Sequence, residues 1–165
     1  MGIDVSESSN AYMNVTRQNK ILTGVSGEYF VAAELSRRGY VASLTLRNTR
    51  GIDILASNLD ATRSVGIQVK TCFGKKPQWI LTQKAEIDTA ENLFYVFVAL
   101  NGMEVPDYFI VPRAVVATYV KSSHSQWLAK PGADGKAHRD SALRQFRDPD
   151  KKYHNAWKSL GLDGE

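Results

Sequence analysis

The stretch that decides the fold is GIDILASNLDATRSVGIQVKT, residues 51–71. GIDILAS (51–57) and VGIQVKT (65–71) are rich in aliphatic and β-branched residues and read as strands. The polar NLDATRS (58–64) between them reads as a hairpin loop. Side chains alternate along a strand, so Ile52, Ile54 and Ala56 share one face and Asp53 and Leu55 the other. In the second strand Ile67 and Val69 point one way, Gln68 and Lys70 the other. An Asp within an apolar strand is unfavourable by propensity, and Gly51 just ahead of it lets the backbone bend or a group approach closely. Two readings stand side by side. Asp53 is an edge residue facing water and Gln68/Lys70 the wet face of an antiparallel sheet, or the hairpin sets Asp53 beside Gln68 and Lys70 for chemistry.

Upstream, SGEYFVAAELSRR predicts a helix over Ser26–Arg38, with Ser26 as N-cap and Gly39 as its stop. Positions 28, 31, 32 and 35 share a face, so Glu28 sits on the stripe of Val31, Ala32 and Leu35 that should meet the sheet. A buried carboxylate there needs a cation or metal; the alternative is a first-turn Glu facing solvent near the helix dipole. YVASLTL (40–46) is a strand and NTRG (48–51) a turn.

Downstream, QWIL (78–81) is a strand or a buried turn, and LFYVFVAL (93–100) a central strand buried on both faces. NGMEVPD is a turn, DYFIVP (107–112) a strand and RAVVATYVKSS (113–123) a helix. Residues 130–142 form a polar loop. DPDKKYHNAWKSLG (148–161) predicts a terminal helix, capped by Asp148, opened by Pro149 and closed by Gly161. The pattern is a polar segment over 1–20 and a single domain over 21–165, a mixed α/β sheet between helices.

The chain has 165 residues, 43% hydrophobic and 23% charged, which suits one folded domain and argues against disorder. No run of 18 uncharged apolar residues and no apolar leader core occur, so a membrane helix and a secretory signal are not expected and the cytoplasm is the expected compartment. One cysteine, Cys72, excludes an internal disulfide and a Cys-rich zinc site, and with no evident paired His it reads as a small hydrophobe. The net charge of +4 falls entirely in residues 113–165, which hold 10 basic and 6 acidic side chains; residues 1–112 hold 11 of each. A basic C-terminal third fits a polyanion partner or an ordinary soluble surface. His124, His138 and His154 lack HExxH spacing, and neither a GxSxG elbow nor a GxxxxGK[ST] loop is present.

Glu28, Asp53 and Gln68 together offer hard oxygen ligands suited to Mg²⁺, with Lys70 beside them to orient a water or balance charge. The order Glu, then GxD, then QxK resembles the PD-(D/E)xK, or restriction-endonuclease-like, nuclease superfamily. The match runs from Gly24 to Lys70 plus the strand Leu93–Leu100, with spacing similar to the Holliday-junction-resolvase branch. The resemblance implies an α/β fold with a central mixed sheet flanked by helices in αβββαβ order, here with extra C-terminal helices. It implies an endonuclease that hydrolyses DNA phosphodiester bonds with Mg²⁺ or Mn²⁺. Glu28 matches the helix-borne carboxylate, Asp53 the central metal-binding Asp and Lys70 the motif lysine; Gln68 and the Val69 carbonyl complete the implied metal ligands. Gln68 departs from the commoner Glu or Asp, which removes a negative charge, weakens metal affinity and leaves open whether one or two ions bind. An inactive nuclease-fold module that binds nucleic acid or a protein is the other outcome. Arg47 and Arg50 grip flanking phosphates or are ordinary turn arginines, and Lys75 and Lys76 are expected to contact the nucleic-acid backbone. Trp79 stacks on a base or fills the core, whereas Trp127 and Trp157 are expected on C-terminal helices in core or interface packing. A homodimer is the expected assembly.

Overall fold

The computed structural model describes residues 20–46, 51–74, 77–87 and 90–163. Helix α1 spans Lys20–Arg37 and so starts ahead of Ser26. The Ser26 hydroxyl donates to the Thr23 carbonyl (2.9 Å) inside the helix and does not cap its start. Gly39, at φ +88°, ends the helix as expected, because a left-handed residue there costs glycine little.

The strands are β1 (Val41–Leu44), β2 (Ile54–Ser57), β3 (Ser64–Cys72), β4 (Trp79–Thr82), β5 (Leu93–Ala99), β6 (Asp107–Pro112) and β7 (Leu143–Phe146), with α2 (Arg113–Ala129) between the last two. Among the described residues a five-stranded sheet runs in the order β1-β2-β3-β5-β6, and β4 pairs with β7 in a separate ribbon. The β2–β3 hairpin is antiparallel, with Ile54 opposite Ile67. β3 and β5 are parallel. β5 lies between β3 and β6 and is buried over Phe94–Ala99, as its unbroken apolar run predicts. QWIL is a strand. The family pattern has a helix between its third and fourth strands; here that crossover carries β4 and a short 3₁₀ helix, Gln83–Glu86.

Alternation along β3 and β5 divides the core in two. Ile67, Val69, Phe94, Val96 and Val98 pack with Val31 and Leu35 of α1 on one face. Tyr95, Phe97 and Ala99 pack with Val116 and Val120 of α2 and with Trp79, Leu81 and Phe146 of the ribbon on the other. Gly27 lets α1 approach β3: a Cβ there would lie 1.9 Å from Thr71 Oγ1. Trp79 is 2% exposed and donates its Nε1–H to the Val98 carbonyl (3.0 Å). The base-stacking alternative for it is therefore set aside.

The helix expected over 148–161 is a correction. Lys151 and Asn155 take positive φ (53° and 51°), which an α-helix does not admit. The Asp148 carboxylate accepts from the Lys152 and Tyr153 N–H groups (3.1 and 2.8 Å), folding a turn. The chain then runs along the outer edge of β6: Ile110 N–H donates to Tyr153 O (3.0 Å) and Asn155 N–H to Tyr108 O (2.8 Å). Satisfying an exposed strand edge outweighs local helix signals. Only Trp157–Leu160 is helical, as a 3₁₀ turn closed by Gly161 at φ +65°. Trp157 is buried against Tyr108, under the Arg38 guanidinium. β7 was not anticipated from LRQF. Trp127 is not core: it is 42% exposed and stacks on His138 at 4.0 Å.

Candidate metal and phosphate site

The site forms where β2 and β3 part. Gly66 N–H and Cys72 O bond toward β5, to Asn92 O and Leu100 N–H. Even-numbered β3 residues therefore turn their backbone polar groups to β5, and odd-numbered ones to β2. β2 pairing ends at Ile54–Ile67, with Asp53 N–H on Ile67 O at 2.8 Å. The next β2-facing donor, Val69 N–H, finds no strand acceptor and takes the Asp53 carboxylate instead, at 2.7 Å to Oδ2. A carboxylate thus replaces the missing ladder partner. Val69 C=O projects on the same side as its N–H, toward this opening.

Asp53 lies just ahead of β2, beyond the turn made by Gly51 at φ +70°. It and Glu28 line one cleft, with Lys20, Thr45 and Ile52. Gln68 and Lys70 line the adjoining cleft with Tyr95, Lys84 and Arg113. The Asp53–Val69 hydrogen bond links the two, because Val69 sits between Gln68 and Lys70. The structure therefore brings Asp53 to the strand of Gln68 and Lys70, and Glu28 to Asp53. Glu28 is half-buried, not on the fully buried stripe, which Gly27, Val31 and Leu35 occupy. Arg47, Arg50, Lys75 and Lys76 lie outside the described residues.

Three residues that sequence reading missed complete the second cleft. Tyr95 stands beside Gln68 across the β3–β5 pair. Its phenol is pushed above its ordinary value by burial, with Arg113 pulling it down and Asp53 pushing it up. Arg113 opens α2, donates Nε–H to Ile87 O (3.2 Å) and holds its guanidinium 5.9 Å from the Tyr95 ring. Lys84 comes from the 3₁₀ helix after β4. A cation directly after the apolar run DYFIVP was the one sequence sign of Arg113. Cys72 packs against the second core, and burial pushes its thiol up, away from reactivity.

The candidate ligands are all oxygens: the Asp53 and Glu28 carboxylates line one cleft, the Gln68 amide lines the other, and the Val69 carbonyl lies on β3 next to Gln68. That chemistry fits Mg²⁺ or Mn²⁺. Among the described residues no three His, Cys, Asp or Glu side chains form a ligand cluster, so an ion held here would need neutral oxygens besides carboxylates.

No family model matches the chain, and no curated protein matches it significantly. Similar solved structures include the following two. The bacterial homing endonuclease I-Ssp6803I superposes with a TM-score of 0.53 at 16% identity, covering 87% of this chain and 91% of that one. Hjc from Archaeoglobus fulgidus, a Holliday junction resolvase from an archaeal hyperthermophile, gives 0.48 at 15% identity, covering 86% and 98%. The chain has the restriction-endonuclease-like fold that its sequence pattern resembles. Among the described residues no helix is long and apolar enough to cross a membrane.

Proposed function

We propose that this chain is a divalent-metal-dependent nuclease that hydrolyses phosphodiester bonds of DNA. The observation that carries the reading is the Asp53–Val69 hydrogen bond at the parting of β2 and β3. It fixes one carboxylate oxygen on the strand that carries Gln68 and Lys70, and leaves the other in the cleft that Asp53 shares with Glu28. Asp53, Gln68, Val69 C=O and Glu28 are the groups that would hold Mg²⁺ or Mn²⁺. When bound, such an ion polarises a phosphate and lowers the pKa of a coordinated water. Lys70 orients the attacking water and stabilises charge that develops on the phosphate oxygens. Arg113 and Lys84 hold the flanking phosphates in the same cleft. One such centre cuts one strand at a time, and a homodimer would bring two centres to one duplex.

Plasmid, branched and single-stranded DNA incubated with Mg²⁺ or Mn²⁺ test this reading. Cleavage is expected from the native chain and is lost in Asp53→Ala and Lys70→Ala. Cutting that persists in both variants refutes the assignment. Gln68 favours a second reading, a module that binds DNA without cutting. That reading predicts salt-sensitive binding and no cleavage with either metal.

A further inference from the structure

We infer that the outer face of the β4–β7 ribbon reads base edges in the major groove of duplex DNA and leads that duplex into the site; this rests on the nuclease reading above. Trp79, Leu81 and Phe146 anchor the ribbon's inner face in the core. Arg144, also on that face, is buried and paired with Glu86. The register sets Ile80 opposite Gln145 and Thr82 opposite Leu143, so these four share the outer face. That face is exposed, with Ile80 56% and Leu143 59% accessible.

At its far end the ribbon carries a preset polar group. The Gln78 amide oxygen accepts from Gln145 Nε2 (3.0 Å) and from Arg147 Nη2 (2.9 Å). One acceptor thus fixes the orientation of a second amide and a guanidinium, the two side-chain types that pair bidentately with adenine and guanine edges. Arg carries five N–H donors, so the bond to Gln78 leaves Arg147 donors to offer a base.

The face is continuous with the proposed catalytic cleft. Ile80 borders the cleft of Gln68, Lys70, Lys84 and Arg113 on one side. On the other side it borders the cleft of Trp127, Gln145 and Arg147. Cations at both ends match a phosphate backbone crossing the ribbon. The B-DNA major groove admits a two-stranded ribbon. The deep, narrow groove of A-form RNA does not, so the inference selects DNA.

The test is equilibrium selection from a pool of randomised DNA duplexes, with Ca²⁺ replacing Mg²⁺, followed by sequencing of the bound fraction. The native chain is expected to enrich particular base pairs. Gln145→Ala/Arg147→Ala should lower that enrichment by about fivefold or more, and Gln78→Ala should act in the same direction by freeing both side chains. Thermal melting of each variant is read alongside; all three positions lie on the surface, so an unchanged midpoint is expected. A duplex RNA of equal length should bind at least about tenfold more weakly. Equal enrichment in native and variant chains, no enrichment by the native chain, or equal binding of RNA overturns the inference. Plasmid cleavage in Mg²⁺ by the native chain separates the two readings. Cleavage without base preference removes the ribbon assignment alone. Base preference that disappears in the variants supports the ribbon even where nothing is cut.

Discussion

Asp53 and Val69 are joined where their strands separate: the carboxylate accepts the Val69 N–H at 2.7 Å, in the place where β2 would have offered a carbonyl. The same side chain therefore holds the sheet together locally and presents an anionic oxygen to the cleft beside it. Two substitutions separate these roles. Asp53→Ala leaves a buried donor unpaired and should lower stability by about 1–3 kcal/mol while abolishing cleavage. Asp53→Asn keeps an acceptor and should melt close to the native chain, yet should cut no DNA. Urea unfolding and a plasmid-nicking assay on both variants check this.

Gln68 is the neutral side chain of the proposed ligand set. Gln68→Glu adds a carboxylate and should tighten Mn²⁺ binding by about tenfold or more, since ligand charge sets affinity for hard cations. Mn²⁺ titration of the two chains measures it.

The approach of α1 to β3 depends on Gly27. Gly27→Ala drives a methyl into Thr71 Oγ1, with Thr71 Cβ only 3.0 Å away. It should cost about 1–3 kcal/mol. Because Glu28 is the next residue, the same change should weaken Mn²⁺ binding. A thermal melt and a metal titration on one sample read both effects.

Much of this was legible in the sequence because alternation along a strand is a strong local signal. The contrast of Ile67 and Val69 with Gln68 and Lys70 places two polar side chains on one face whatever the rest of the chain does. The unbroken run at 93–99 announces a central strand for the same reason. What failed were elements settled by distant partners. Residues 148–161 carry acceptable cap signals, but backbone bonding to β6 and left-handed Lys151 and Asn155 turn them into an edge cover. LRQF is a strand because β4 pairs with it and because Glu86 pairs with the buried Arg144. Arg113 and Lys84 reach the cleft through the packing of α2 and the crossover, which no local pattern encodes.

Trp79 tests the second core. It contacts Phe97 at 5.0 Å and Phe109 at 5.3 Å between ring centroids and bonds Val98 O. Trp79→Ala should cost about 3–5 kcal/mol, measured by urea unfolding.

Asp107 gives the chain an acid-sensitive contact. Burial pushes its carboxyl up, but the Asn101 amide (3.0 Å) and the His154 ring (2.8 Å) outweigh burial and hold it below the usual carboxylate range. A folded-state pKa below the unfolded one means the ionised form stabilises the fold above the unfolded value. That stability is lost as pH falls through the folded value. Unfolding midpoints compared between about pH 6 and about pH 2 should fall less steeply in Asp107→Asn than in the native chain.

The most direct test of the proposed centre is calorimetric titration of the chain with Mn²⁺. A saturable heat of binding is expected from the native chain, and Asp53→Asn, folded by its melting curve, should show none. Identical binding in the two chains, or no binding by the native one, would contradict a metal site built on Asp53.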